Sequence, residues 1–190
     1  MFVSGAGRRK VRTDGPPVGS DASPRFSQEI IKGRNWVDFL RALAGGFALM
    51  FYSFSMGPEP TKQTYYGILA LKWSICLIAM LIQTVRFEGG RIRLVAPVFF
   101  IQGLSFGLLG WKAALFSSTG VWALNLMLPS TGFFLFVLAG LQLGFGQLFG
   151  TNKLMLGFAV LVTMIPLILS LIMRRQLVRL NKKTKVARAA

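Results

Sequence analysis

The groups able to do acid, base or metal chemistry are few in this chain, and their placement decides what it can do. Histidine is absent from all 190 residues. That removes a histidine general base, bis-histidine haem ligation, a histidine-bearing metal site and the usual histidine ligand to chlorophyll. Six carboxylates remain: Asp14, Asp21, Glu29, Asp38, Glu59 and Glu88. Each falls in a terminal tail, a loop or the edge of an apolar segment. A proton-coupled pump or a cation channel places an acidic group on its path inside the bilayer, so both classes are disfavoured. The single cysteine, Cys76, sits in the apolar run Ser74, Ile75, Cys76, Leu77, Ile78 and has no second thiol to bridge, so it reads as a small packing hydrophobe. Neither a zinc nor an iron-sulfur site is expected, no cofactor is called for, and the chain reads as a non-enzyme.

Cations, amides and glycines carry what interaction chemistry is left. Lys72 lies about seven residues into an apolar segment, roughly 10 Å deep at 1.5 Å per residue. Its stem either snorkels toward the headgroups or holds the ammonium against an anion or a lipid headgroup. Lys112, after Gly110 and Trp111, reads as interfacial, and Arg41 as an inner-leaflet anchor that pairs with Asp38 or reaches phosphate. Gln102 with Ser105, and Gln142 with Gln147, are polar groups that need partners in lipid. They act as interhelical glue worth about 1 kcal/mol each, or they form a polar lining for a neutral solute or a quinone-like headgroup. Gly103 and Gly107, Gly140 and Gly144, Gly146 and Gly150, together with Ala42 and Gly46, repeat a small residue at four-residue spacing. On a helix this makes a flat patch where another backbone approaches closely, in the same chain or on a partner.

Apolar helices must position these groups. From Leu94 to Met173 the chain carries only two charges, Lys112 and Lys153, and a bilayer core about 30 Å thick needs about 20 apolar residues per helix. Five apolar segments can be drawn. The first runs from Trp36 to Met56 and stops at Gly57, Pro58, Glu59, Pro60; the second runs from Tyr65 to Val85 and is followed by a charged turn, Arg86 to Arg93, built on Gly89 and Gly90. The third, Leu94 to Phe116, is ended by Ser117, Ser118, Thr119 and Gly120. The fourth, Val121 to Phe149, is interrupted by Pro129, Ser130, Thr131 and Gly132, and the fifth, Leu154 to Met173, contains Pro166. The expected fold is all-α: a polytopic integral membrane protein, a bundle of four or five transmembrane helices with room for one broken or re-entrant segment. Residues 1–35 form a disordered basic tail, 36–173 the helical membrane domain and 174–190 a second basic tail.

Charge placement sets the orientation and raises a conflict. Of 22 Lys and Arg residues, 8 lie in residues 1–41 and 7 in residues 174–190. Basic flanks of this kind mark cytoplasmic ends that are attracted to anionic lipid headgroups rather than to nucleic acid, so both termini are expected in the cytoplasm, at a cell (inner) membrane. Five passes would put them on opposite sides. Four passes reconcile them if one segment enters without crossing, the fourth being the first choice and the first, shortened by Arg41, the second. The twin arginine Arg8, Arg9 is not followed by an apolar stretch until about residue 36, too late for a secretory signal.

The run Asp38, Phe39, Leu40, Arg41, Ala42, Leu43, Ala44 is similar to the opening of the first helix in the membrane acyltransferase-3 family. That family places a catalytic histidine further along the same helix, where this chain has Tyr52, so no residue role is carried over.

The functional expectation is a non-catalytic integral membrane subunit that packs into or scaffolds a larger complex with other membrane subunits. Phe-rich segments such as Phe99, Phe100 and Phe133, Phe134, Phe136 would let it hold lipid or pigment by shape. A small transporter or channel for an anionic or neutral solute, using Lys72 and the glutamines, is the alternative. A lipid-modifying enzyme has no acid, base or activated nucleophile to work with.

Overall fold

The computed structural model describes residues 33–51, 62–88, 91–174 and 177. In chain order the elements are α1 (Gly33–Phe51), α2 (Lys62–Thr84), β1 (Val85–Glu88), β2 (Arg91–Leu94), α3 (Val98–Leu109), α4 (Trp111–Leu124), a 3-10 turn (Asn125–Met127), α5 (Thr131–Leu148) and α6 (Lys153–Ile172). The protein is therefore mostly helical. Three of the described helices are long and apolar enough to cross a membrane: Thr64–Thr84 in α2, Thr131–Leu148 and Lys153–Ile172. The expected disorder of residues 1–32 and of most of the C-terminal tail, the stop at Gly57 to Pro60 and the Gly89, Gly90 turn all lie outside the described residues.

Local chemistry explains most boundaries. Ser130 caps α5, its Oγ accepting from the Phe133 amide at 3.2 Å, and Asn152 caps α6 by accepting from the Leu154 amide at 2.9 Å. Gly150, at φ +70, closes α5: its amide donates to Gln147 O and the Thr151 amide donates to Gly146 O at 2.8 Å. This is the Schellman arrangement, which needs a residue without a Cβ at the left-handed position.

Two expectations are corrected here. The fold is not purely helical, because the charged turn builds an antiparallel ladder that pairs Val85 with Leu94, Arg86 with Arg93, Phe87 with Ile92 and Glu88 with Arg91. Of the two interruptions expected in the apolar stretch, the one around Pro129 and Ser130 is present, between the 3-10 turn and α5, whereas the one at Ser117 to Gly120 is not. Ser117 to Gly120 lie inside α4, where the Ser117 hydroxyl donates to Ala114 O at 3.1 Å and so makes no demand on the chain to turn. The break falls instead at Gly110, whose φ of +80 and ψ of 161 only glycine adopts readily. Residues 98–124 thus form a helical hairpin, and after the break around Pro129 the stretch Thr131–Leu148 is one continuous helix.

Packing contacts order the helices. The Val95 amide donates to Thr84 O at 2.8 Å, which fixes the start of α3 beside the end of α2. Gly103 faces Phe39 and Ala42 while Gly107 faces Gly46, so α1 and α3 run parallel. The ring of Phe99 meets Trp122 at 5.8 Å, and Phe116 meets Phe149 at 5.4 Å, making α4 antiparallel to both α3 and α5. Gly132 lies against Leu167 and Gly146 against Leu156, which sets α6 antiparallel to α5. Direction therefore alternates through all six helices, and the start of α1, the β-hairpin and the end of α6 share one end of the bundle. At the centre stands α3, apolar on every side and buried at ten of its twelve positions. α2 is peripheral: 17% of its apolar window is buried, against 39% for α5.

Candidate functional site

The small-residue pairs separate into three fates. Gly103 and Gly107 form a seam with α1, where a Cβ on Gly103 would overlap Phe39 O and one on Gly107 would overlap the Gly46 backbone. Gly146 is packed under Leu156, and Gly150 serves the turn rather than a packing face. Gly140 and Gly144 are exposed on α5, and a Cβ at either would meet nothing within 4 Å. Identical spacing thus produced an internal contact in one case and an open outer face in another.

The glutamines also separate. Gln142 is fully buried, and its Nε2 donates to Ser105 Oγ at 2.8 Å. Ser105 in turn donates to Ile101 O at 2.8 Å. Thr163 Oγ1 lies 2.8 Å from Gln142 Oε1 and 2.9 Å from Ala159 O, and can donate its one proton to either. One amide therefore ties α3, α5 and α6 together. Gln147 is exposed and takes no part in this network, in which Ser105 serves Gln142. Gln102 is buried on α3, and its Nε2 has no hydrogen-bond partner among the described residues.

Lys72 is half-buried beside a cavity of ≈ 20 Å³ between α1, α2, α3 and α6, with Gly46, Cys76 and Phe158 on its walls. That is room for about one water molecule. Next to it Trp73 stacks on Phe158 with centroids 4.7 Å apart and planes 3° from parallel. At the far end of the bundle from the β-hairpin, Lys112 lies 5.7 Å from the centroid of the exposed Trp111 ring. Among the aromatics considered for lipid or pigment, Phe100 and Phe134 are core, while Phe133 and Phe136 face outward.

At the hairpin end a much larger feature appears. An open groove of ≈ 700 Å³ runs between α1, the end of α2 and β1, and its walls carry Arg34, Arg41 and Arg86 with the single carboxylate Asp38. Arg34 reaches Asp38 at 4.0 Å and Arg41 reaches it at 3.9 Å. Spacings of four and three residues put these three side chains on one face of α1, so that part of the cluster was open to sequence reasoning. Arg86 was not, because only the ladder brings it to α1. Among the described residues no group of three His, Cys, Asp or Glu side chains could hold a metal ion.

Compared with known family models, curated proteins and solved structures, the chain matches none.

Proposed function

We propose that this chain is a non-catalytic integral membrane subunit that packs against other membrane subunits, with its arginine-rich end in the cytoplasm of a cell that holds it in its inner membrane. The outer face of α5 carries the reading. Phe133, Phe136, Gly140, Leu143, Gly144 and Gln147 are all exposed there at helical spacing, and a glycine pair open to lipid offers a flat seat for a partner helix with an amide one turn away. An outward apolar strip on α2, made by Leu71, Ile75, Ile78 and Ile82, enlarges the surface available to neighbours.

The membrane body is read as crossed an even number of times. α3 and α4, with 12 and 14 residues, are about 18 and 21 Å long at 1.5 Å per residue, each short of the roughly 30 Å core. Counted as two short passes extended by the buried chain around Leu94 and Val95, or as one re-entrant pair, they leave the parity unchanged. Alternating helix direction then returns the C-terminal end to the side of the α1 start, which is what the basic flanks require. Among the described residues, Arg34, Arg41, Arg86, Arg93 and Arg174 lie at that end and Lys112 and Lys153 at the other, with Lys72 inside the bundle between them.

A transporter has weaker support. The amide of Gln142 is engaged on both sides, and the cavity beside Lys72 holds about one water. Purification of the full chain in mild detergent tests the proposal. Stoichiometric partners that are lost on Gly140→Leu with Gly144→Leu, while the variant stays monodisperse, are expected. A chain that is stable alone and mediates solute flux in liposomes would overturn it.

A further inference from the structure

We propose that the groove between α1, the end of α2 and β1 is a binding site for an anionic glycerophospholipid, with Arg34, Arg41 and Arg86 receiving its phosphate. The inference rests on the membrane reading above. Among the described residues, three guanidiniums and one carboxylate line the groove. The Asp38 pairs, at 4.0 and 3.9 Å, are long for hydrogen bonds, so Asp38 balances charge without fixing either fork. Arginine suits the role because its planar donors match the oxygens of a phosphate in pairs. Arg86 enters the groove from the ladder, where it stands opposite Arg93.

The remaining walls identify the source of the phosphate. Val37, Ile82 and Phe87 line the groove beside the arginines. Ile82 is 69% exposed and Phe87 77% exposed. Ile82 is also the last member of the α2 strip formed with Leu71, Ile75 and Ile78, so the groove opens from its charged floor onto an apolar track along α2. A free phosphate or a nucleotide has no use for that track; a diacyl lipid does, with its headgroup at the arginines and its chains along the helix. Basic pockets between helices at the cytoplasmic level are where anionic headgroups are held.

Native mass spectrometry of the full chain in mild detergent, with phosphatidylglycerol, phosphatidylcholine or inorganic phosphate added, tests the assignment. Phosphatidylglycerol is expected to be retained over phosphatidylcholine, with millimolar inorganic phosphate failing to displace it. Arg41→Gln with Arg86→Gln should weaken that retention by ~10-fold or more, and Arg34→Gln alone should weaken it less, giving a readout should the double variant not fold. Neutralising Lys182, Lys183 and Lys185 in the tail to Gln should leave it unchanged. Equal retention of the two lipids, a double variant that folds and keeps phosphatidylglycerol, loss on tail neutralisation, or displacement by inorganic phosphate would each overturn the site, the last by making it a soluble-anion site. Reconstitution into vesicles of phosphatidylcholine alone reports separately on the membrane reading: failure to insert would sink that reading, whereas insertion without lipid preference would sink only this one.

Discussion

Replacing Gly107 by alanine and Gly140 by alanine makes the same chemical change at two helix positions, and the structure requires opposite outcomes. Alanine is the better helix former, by about 0.8–1 kcal/mol in an exposed interior. At Gly140 a new Cβ meets nothing within 4 Å, so the monomer should keep that gain. At Gly107 the Cβ overlaps the backbone of Gly46, which cannot move aside as a flexible side chain would. α1 must then back away from α3, and an inserted methylene in a tight contact costs typically 1–3 kcal/mol, with further loss because a gap of 0.5–1 Å forfeits a quarter to a half of each dispersion contact. Gly46→Ala should fall between, since its Cβ would meet Gly107 Cα at 3.2 Å, a contact that a small shift relieves. Because the propensity gain applies at both positions, equilibrium denaturation of the detergent-purified chain should separate Gly140→Ala from Gly107→Ala by the clash alone, ~1–3 kcal/mol. Alanine at both positions giving changes of the same sign, or Gly46→Ala proving worse than Gly107→Ala, would refute the close approach of α1 to α3.

Three further outcomes are expected. Gln142→Leu should cost only ~1–2 kcal/mol, because Ser105 and Thr163 retain the carbonyls of Ile101 and Ala159 as acceptors; Gln147→Leu should change the midpoint little, and a Gln142 loss above ~4 kcal/mol would mean that the amide does more than tie three helices. Protease-sensitive tags fused to the two ends should be cut from the same side of sealed vesicles, and cleavage from opposite sides would remove the even-parity bundle. Lys72→Met should insert normally and shift the unfolding midpoint by less than ~1 kcal/mol, as expected for a stem that reaches toward the headgroups; loss of insertion would refute that reading.

Sequence alone revealed the apolar body and the concentration of arginine at its ends, because both are properties of composition along the chain. It could not reveal which glycine pair faces inward. Gly103 with Gly107 and Gly140 with Gly144 have the same spacing, and only the neighbour across the contact distinguishes them. Polarity misled at Ser117 to Gly120: hydroxyls in an apolar helix bond to their own preceding turn, so a polar cluster need not end the helix. The real break, at Gly110, is a single residue between Leu109 and Trp111 and carries no breaker signal beyond being glycine. The Gln142 network joins residues 37 and 21 positions apart, separations that local periodicity does not reach. Half of the basic groove was visible as Asp38 beside Arg41; the other half depended on the strand pairing that brings Arg86 to α1, which the expected tight turn on Gly89 and Gly90 did not specify.

The glycine seam also sets an order of assembly. α1 carries Arg34, Asp38 and Arg41 and is not among the helices long and apolar enough to cross a membrane by themselves. Its buried positions, Ala42 and Gly46, are those that meet α3. On the membrane reading proposed above, α1 leaves the ribosome some sixty residues ahead of the surface that seats it, and its commitment to the bilayer falls to a segment translated later. A nascent chain stopped before residue 98 should leave α1 extractable from microsomes by alkaline carbonate, whereas one extended past the seam should not.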